Sequence, residues 1–148
     1  MAAVIVAVSI SKSKGERKTP GSRVQLLEDH GIIGDAHAGD WHRQVSLLAL
    51  ESIAKMQALG LSVGPGDFAE NLTTRGIDLV NLPVGTRLGI GEVQLEISQI
   101  GKVCHTRCAI FYQAGDCVMP KEGVFAKVLR GGIIKPQDHI QLLPNAAD

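Results

Sequence analysis

The sequence predicts a mainly β domain: a closed or nearly closed β-barrel with one or two short helices. Three observations carry that expectation. Seventeen glycines are spread along the chain with short apolar runs between them, the spacing of brief strands joined by tight turns. Val93, Leu95 and Ile97 alternate with Gln94, Glu96 and Ser98, so that run has one buried and one wet face, as a pleated strand does. Only Ala49 to Leu59 has the clear apolar spacing of a helix.

Taken in order, Ala3 to Ser9 is continuous and rich in Val and Ile, which reads as a buried first strand. Ser11 to Ser22 is polar and basic around a Thr-Pro-Gly turn. It reads as a mobile loop whose cations, Lys12, Lys14, Arg17 and Lys18, are solvated charge, with a ligand role as the alternative. Arg23 to Glu28 is a second strand, ended by a turn at Gly31 and Gly34, and Gln44 to Leu48 is a third. In the helix, Leu50, Ile53, Ala54 and Met56 form the apolar stripe, and Gly60 stands where a helix C-terminus favours a left-handed residue. Gly64 to Asp67 is a turn, and Asn71 to Thr74 a short strand. Thr86 to Ile90 and Val93 to Ile100 form a hairpin about Gly91-Glu92. Val124 to Arg130 and His139 to Leu143 supply the last strands. So many short strands with so little helix point to a barrel.

A chain of 148 residues suits one domain spanning 1–148 and can bury enough apolar surface to fold without disulfides. Fifteen basic residues balance fifteen acidic ones and aromatics make up only 3%, which argues against nucleic-acid binding. Ala2 to Ile10 is too short to span a bilayer and lacks the charged leader of a signal peptide, so no membrane partner is expected. Three cysteines cannot all pair within one chain, so reduced thiols and a cytoplasmic location are the expectation.

Two segments concentrate chemistry. Gly34 to Gln44 packs His37, His42, Asp35, Asp40, the only Trp (Trp41) and Arg43 into one inter-strand loop. Imidazole titrates near neutrality and serves as metal ligand or acid–base, while a guanidinium clamps phosphate. The other reading is a polar loop held by Asp–backbone and His–Asp hydrogen bonds. Gly101 to Cys108 places Cys104 and Cys108 four positions apart, with Lys102, His105 and Arg107 beside them. Neighbouring cations favour thiolate, the nucleophilic and soft-metal-binding form. A free cysteine also serves as a small buried filler, the preferred reading for Cys117. A four-ligand structural zinc site lacks its second cysteine pair, which leaves a mixed Cys104/Cys108/His site as the zinc reading. The chain has no P-loop, dinucleotide fingerprint, nucleophile elbow or His-Glu-x-x-His zinc helix.

Read together, several segments resemble the MOSC domain, the family named from the C-terminal part of molybdenum-cofactor sulfurase, in its small stand-alone bacterial form. They are Glu28 to His37, Arg43 to Leu48, Gly66 to Thr74, Leu82 to Thr86 and Cys104 to Cys108, and the likeness runs from about Val4 to Leu143. It implies a barrel of the pyruvate-kinase type. It also implies a loop cysteine that binds molybdenum in related amidoxime-reducing enzymes. Their Arg-Cys pair matches Arg107-Cys108, which makes Cys108 the first choice for catalytic thiol and metal ligand. Cys104 lies near a second cysteine of that loop, with one extra residue between, as resolving thiol, second ligand or bystander. His37, Arg43, Gln44, Asn71 and Arg107 fall to the molybdenum–pterin cofactor, in its molybdenum or tungsten form.

The chain shows no aminotransferase-like domain for cysteine desulfuration and no companion N-terminal barrel. The resemblance therefore implies a cofactor held transiently or shared with a second subunit. Three functions follow as expectations. One is a cofactor-handling protein whose Cys108 binds molybdenum or carries persulfide sulfur. The others are a non-catalytic module docking on molybdenum-cofactor biosynthesis or target enzymes, and a small Cys/His zinc protein.

Overall fold

The computed structural model describes residues 3–14, 16–101 and 119–144. Eight strands form one sheet. In chain order they are β1 (Val4–Ile10), β2 (Thr19–Gly21), β5 (Val45–Ala49), β6 (Leu72–Arg75), β7 (Arg87–Ile90), β8 (Val93–Ile100), β9 (Val124–Arg130) and β11 (Gln141–Leu143). Their spatial order is β11-β7-β8-β9-β5-β6-β1-β2. A second sheet of three strands has β3 (Val24–Leu27) between β10 (Gly132–Ile134) and β4 (Gly31–Ile32). The helices are α1 (Leu50–Ala58), a 3-10 turn at Leu79–Asn81 and α2 (Met119–Glu122).

The expected mainly β fold is present, but the sheets do not close into a barrel. The eight-stranded sheet ends at β11 and β2. Its two sides approach where Val4 bridges His139 and Ile5 exchanges backbone hydrogen bonds with Asp138 and Gln137. One bridge is not a ladder, because the chain then leaves β1 to pair as β11 with β7.

The β7–β8 hairpin follows the expected register, Ile90 opposite Val93 and Leu88 opposite Leu95. Val93, Leu95 and Ile97 are fully buried, and their alternating partners are not. They join Ile5, Val8, Leu47, Leu72 and Val124 in the main core. Beneath α1 lies a smaller cluster of Leu48, Ile53, Met56, Val63, Phe68 and Phe125.

α1 crosses between the parallel neighbours β5 and β6, since antiparallel return by a tight turn is not available to a parallel pair. It ends as the sequence predicts. Gly60 has φ +94°, its N–H donates to the Gln57 carbonyl and the Leu61 N–H reaches back to Met56, the paired bonds of a Schellman motif. Leu61 then packs on the cluster that contains Met56. The buried face is Ser52, Ile53 and Met56, whereas Ala54 is exposed and does not belong to the stripe.

The Ser11 to Ser22 segment is not simply a loop. Thr19 to Gly21 pairs with Val8 to Ile10 as β2, and Lys18 is buried, while Lys12, Lys14 and Arg17 are exposed as expected. A lysine is driven inside only when paired, and its partner lies in the next loop.

Candidate functional site

The loop between β4 and β5 is built on a buried ion pair. Lys18 Nζ lies 2.8 Å from Asp35 Oδ1, with both side chains fully buried. The same ammonium lies 3.0 Å from Ser11 Oγ and 2.9 Å from His37 Nδ1. Asp35 also accepts the N–H groups of Ser11 at 3.1 Å and His37 at 3.1 Å. Burial by itself would push the Asp35 carboxyl up. The Lys18 and Ser11 hydrogen bonds, the Lys18 charge and the His37 N–H outweigh it and hold the carboxyl below its ordinary value. The loop is thus hung from β1 and β2 by a charge network.

Beyond that anchor the aromatic and cationic side chains gather. Trp41 donates its indole N–H to the His37 carbonyl at 2.7 Å, and the two rings lie nearly parallel with centroids 6.4 Å apart. The Arg43 guanidinium sits 4.6 Å from the centre of the Trp41 ring and 5.6 Å from that of Phe125 on β9. Lys14 Nζ approaches Trp41 at 5.0 Å. Arg43 Nε is buried with no hydrogen-bond partner among the described residues. An unpaired buried donor on a cation is costly, and an anion is the group that satisfies it.

His42 is exposed. Its Nε2 lies 2.7 Å from Gln99 Oε1, and its carbonyl accepts the Ser98 hydroxyl, both at the end of β8. Gly101, just beyond, donates to Gly123 at 2.7 Å. The described residues on either side of 102–118 therefore adjoin the His37–Arg43 loop: Ser98 and Gln99 bond His42, and Phe125 lies beside Arg43. Cys104, Arg107, Cys108 and Cys117 lie outside the described residues.

Gln44 and Asn71 turn inward. Gln44 is fully buried, its Oε1 accepting the Val128 N–H at 2.9 Å and its Nε2 donating to Asp29 at 3.2 Å. Asn71, also fully buried, accepts the Ser46 N–H at 3.0 Å and donates to the Ser9 carbonyl at 3.1 Å, tying β1, β5 and β6 together. Both side chains are hydrogen-bonded within the protein.

Sequence reasoning missed Lys18, Ser11 and Phe125. Asp35 stood in the flagged segment but without its lysine, which lies 17 residues away in sequence. Glu70 was also missed. Its buried carboxylate takes Thr73 Oγ1 at 2.7 Å, Gly66 N–H at 3.0 Å and Phe68 N–H at 3.3 Å, and burial pushes its carboxyl up despite those donors.

Among the described residues, no three His, Cys, Asp or Glu side chains gather as a metal site, and no helix is long and apolar enough to cross a membrane. A groove of about 660 Å³ lies between α1 and the 3-10 turn, lined by Glu51, Lys55, Asp78 and Glu122 among others and by none of the expected site residues.

No characterised protein sequence matches the chain. Solved structures do. The YuaD protein from Bacillus subtilis superposes with a TM-score of 0.79 at 18% identity, over 95% of this chain and 94% of that one. YiiM from Geobacillus stearothermophilus gives 0.70 at 20% identity, over 96% and 75%. YiiM from Escherichia coli gives 0.65 at 20% identity, over 98% and 72%. At such identities the likeness is one of fold. The family model for the MOSC domain matches residues 34–141. That stretch begins at the Asp35–His37 anchor, takes in the 102–118 segment and reaches the start of β11, so the chain belongs to the MOSC domain family.

Proposed function

We propose that this domain binds a molybdenum–pterin cofactor, or handles its sulfur, at the His37–Arg43 loop with Cys108 as the thiol. The observation that carries the reading is the Arg43 guanidinium, packed between Trp41 and Phe125 with a buried Nε–H and no partner for it among the described residues. Such a donor fits the phosphate of the cofactor, and the Trp41 face fits a flat heterocycle. Arg43 and His37 would hold the anionic portion, Arg107 would add a second guanidinium, and Cys108 would supply the thiolate. When bound, the group supplies a high-valent molybdenum or tungsten centre for which thiolate sulfur is a soft ligand. A reducing, cytoplasmic setting keeps that thiol available. The partners in this reading are enzymes that make or use the cofactor.

Trp41 is the only tryptophan in the chain, so its fluorescence reports on this site alone. Titration with isolated molybdenum–pterin cofactor quenches wild type. Arg43→Ala weakens the apparent affinity roughly tenfold or more, the loss of a charge-assisted hydrogen bond. Unchanged affinity in folded Arg43→Ala removes Arg43 from the site, and absence of any binding to wild type removes the reading.

A further inference from the structure

Lys18 faces three acceptors at once: Ser11 Oγ at 3.0 Å, Asp35 Oδ1 at 2.8 Å and His37 Nδ1 at 2.9 Å. An ammonium has three N–H donors and nothing to accept with. All three are committed, so His37 Nδ1 must offer a lone pair. We infer that Lys18 is a positioning residue that fixes His37 as the neutral tautomer carrying its proton on Nε2.

The consequence is chemical. A histidine ring's free tautomer choice is set by the bond its other nitrogen makes. With Nδ1 occupied by Lys18, His37 cannot ligate a metal through that atom, and its Nε2 is a donor rather than a base. In that tautomer the ring can serve a ligand only as an N–H donor, a role suited to anionic oxygen. Asp35 Oδ2, 4.0 Å from Nδ1, competes for the opposite tautomer. Without Lys18 that carboxylate draws the proton to Nδ1. The inference uses the same site as the proposed function but does not depend on which anion fills it.

The test is nitrogen NMR of the full-length, cofactor-free protein with labelled histidine, at mildly alkaline pH where imidazole is neutral. His37 is assigned among five histidines by the signals lost in His37→Gln. Expected in wild type are an unprotonated Nδ1 and a protonated Nε2. In Lys18→Met the two shifts exchange as Nδ1–H turns to Asp35, while the other four histidines keep theirs. Should Lys18→Met fail to fold, Lys18→Met combined with Asp35→Asn removes both buried charges and yields averaged His37 shifts. A wild-type Nδ1–H, or a fixed Nε2–H form persisting in either folded variant, overturns the inference. Because no cofactor is present, neither result is confused with failure of cofactor binding.

Discussion

Removing the Asp35 carboxylate strands the Lys18 ammonium in a site with no exposure to water. Breaking one side of a buried pair is far worse than never having it, because the surviving charge keeps its desolvation cost. Asp35→Ala is therefore expected to lose about 3–5 kcal/mol in urea unfolding. The two buried carboxylates pull stability in opposite directions with pH. Asp35 has a lowered folded-state value, so its contribution is present at neutral pH and lost as pH falls through that value. Glu70 has a raised value, so its contribution is greatest in acid and lost as pH rises through that value. Glu70→Gln cannot ionise. Its stability relative to wild type is expected to improve steadily as pH rises through the folded Glu70 value, as read by urea midpoints across pH. A difference that is flat with pH contradicts the burial argument.

Among the elements, the turn before β6 is the most exacting. Gly66 has φ +89°, and a Cβ there would stand 2.2 Å from the Lys18 carbonyl oxygen, a backbone atom that cannot swing aside. Lys18 N–H in turn donates to the Gly66 carbonyl at 2.8 Å, so the turn and the strand that delivers Lys18 are one unit. Gly60 has a similar φ, +94°, but nothing within 4 Å of the added carbon. Gly60→Ala is expected to cost about 1 kcal/mol, the left-handed penalty alone. Gly66→Ala is expected to cost about 3 kcal/mol or more, because steric conflict adds to it. Equal losses in chemical denaturation would mean that the close approach at Lys18 relaxes freely.

At the scale of the whole molecule, the long pieces were legible and the short ones were not. Val93–Ile100 and Val124–Arg130 appear with the expected bounds, because seven or eight residues carry a readable apolar pattern. The α1 terminus was legible because Gly60 has a local reason to be there. β4 and β10 have two and three residues. They exist because β3 pairs with them, a fact about distant residues rather than their own propensity. Burial of Lys18 has the same origin, since only the fold brings Asp35 to it. The barrel was inferred from strand number, but closure depends on whether the last segment pairs fully with β1, and it makes a single bridge. The loop from His37 to Arg43 was visible as an unusual composition. Its division into half-buried His37 and Arg43 and fully buried Gln44 needed the packing. The measurement that tests the central claim most directly is metal and pterin analysis of protein purified without oxygen from molybdate-supplied cells, for wild type, Arg43→Ala and Cys108→Ser. Molybdenum or tungsten with pterin in wild type, reduced in both variants, is the predicted result, whereas wild type carrying neither metal nor pterin, or folded variants retaining both in full, would contradict it.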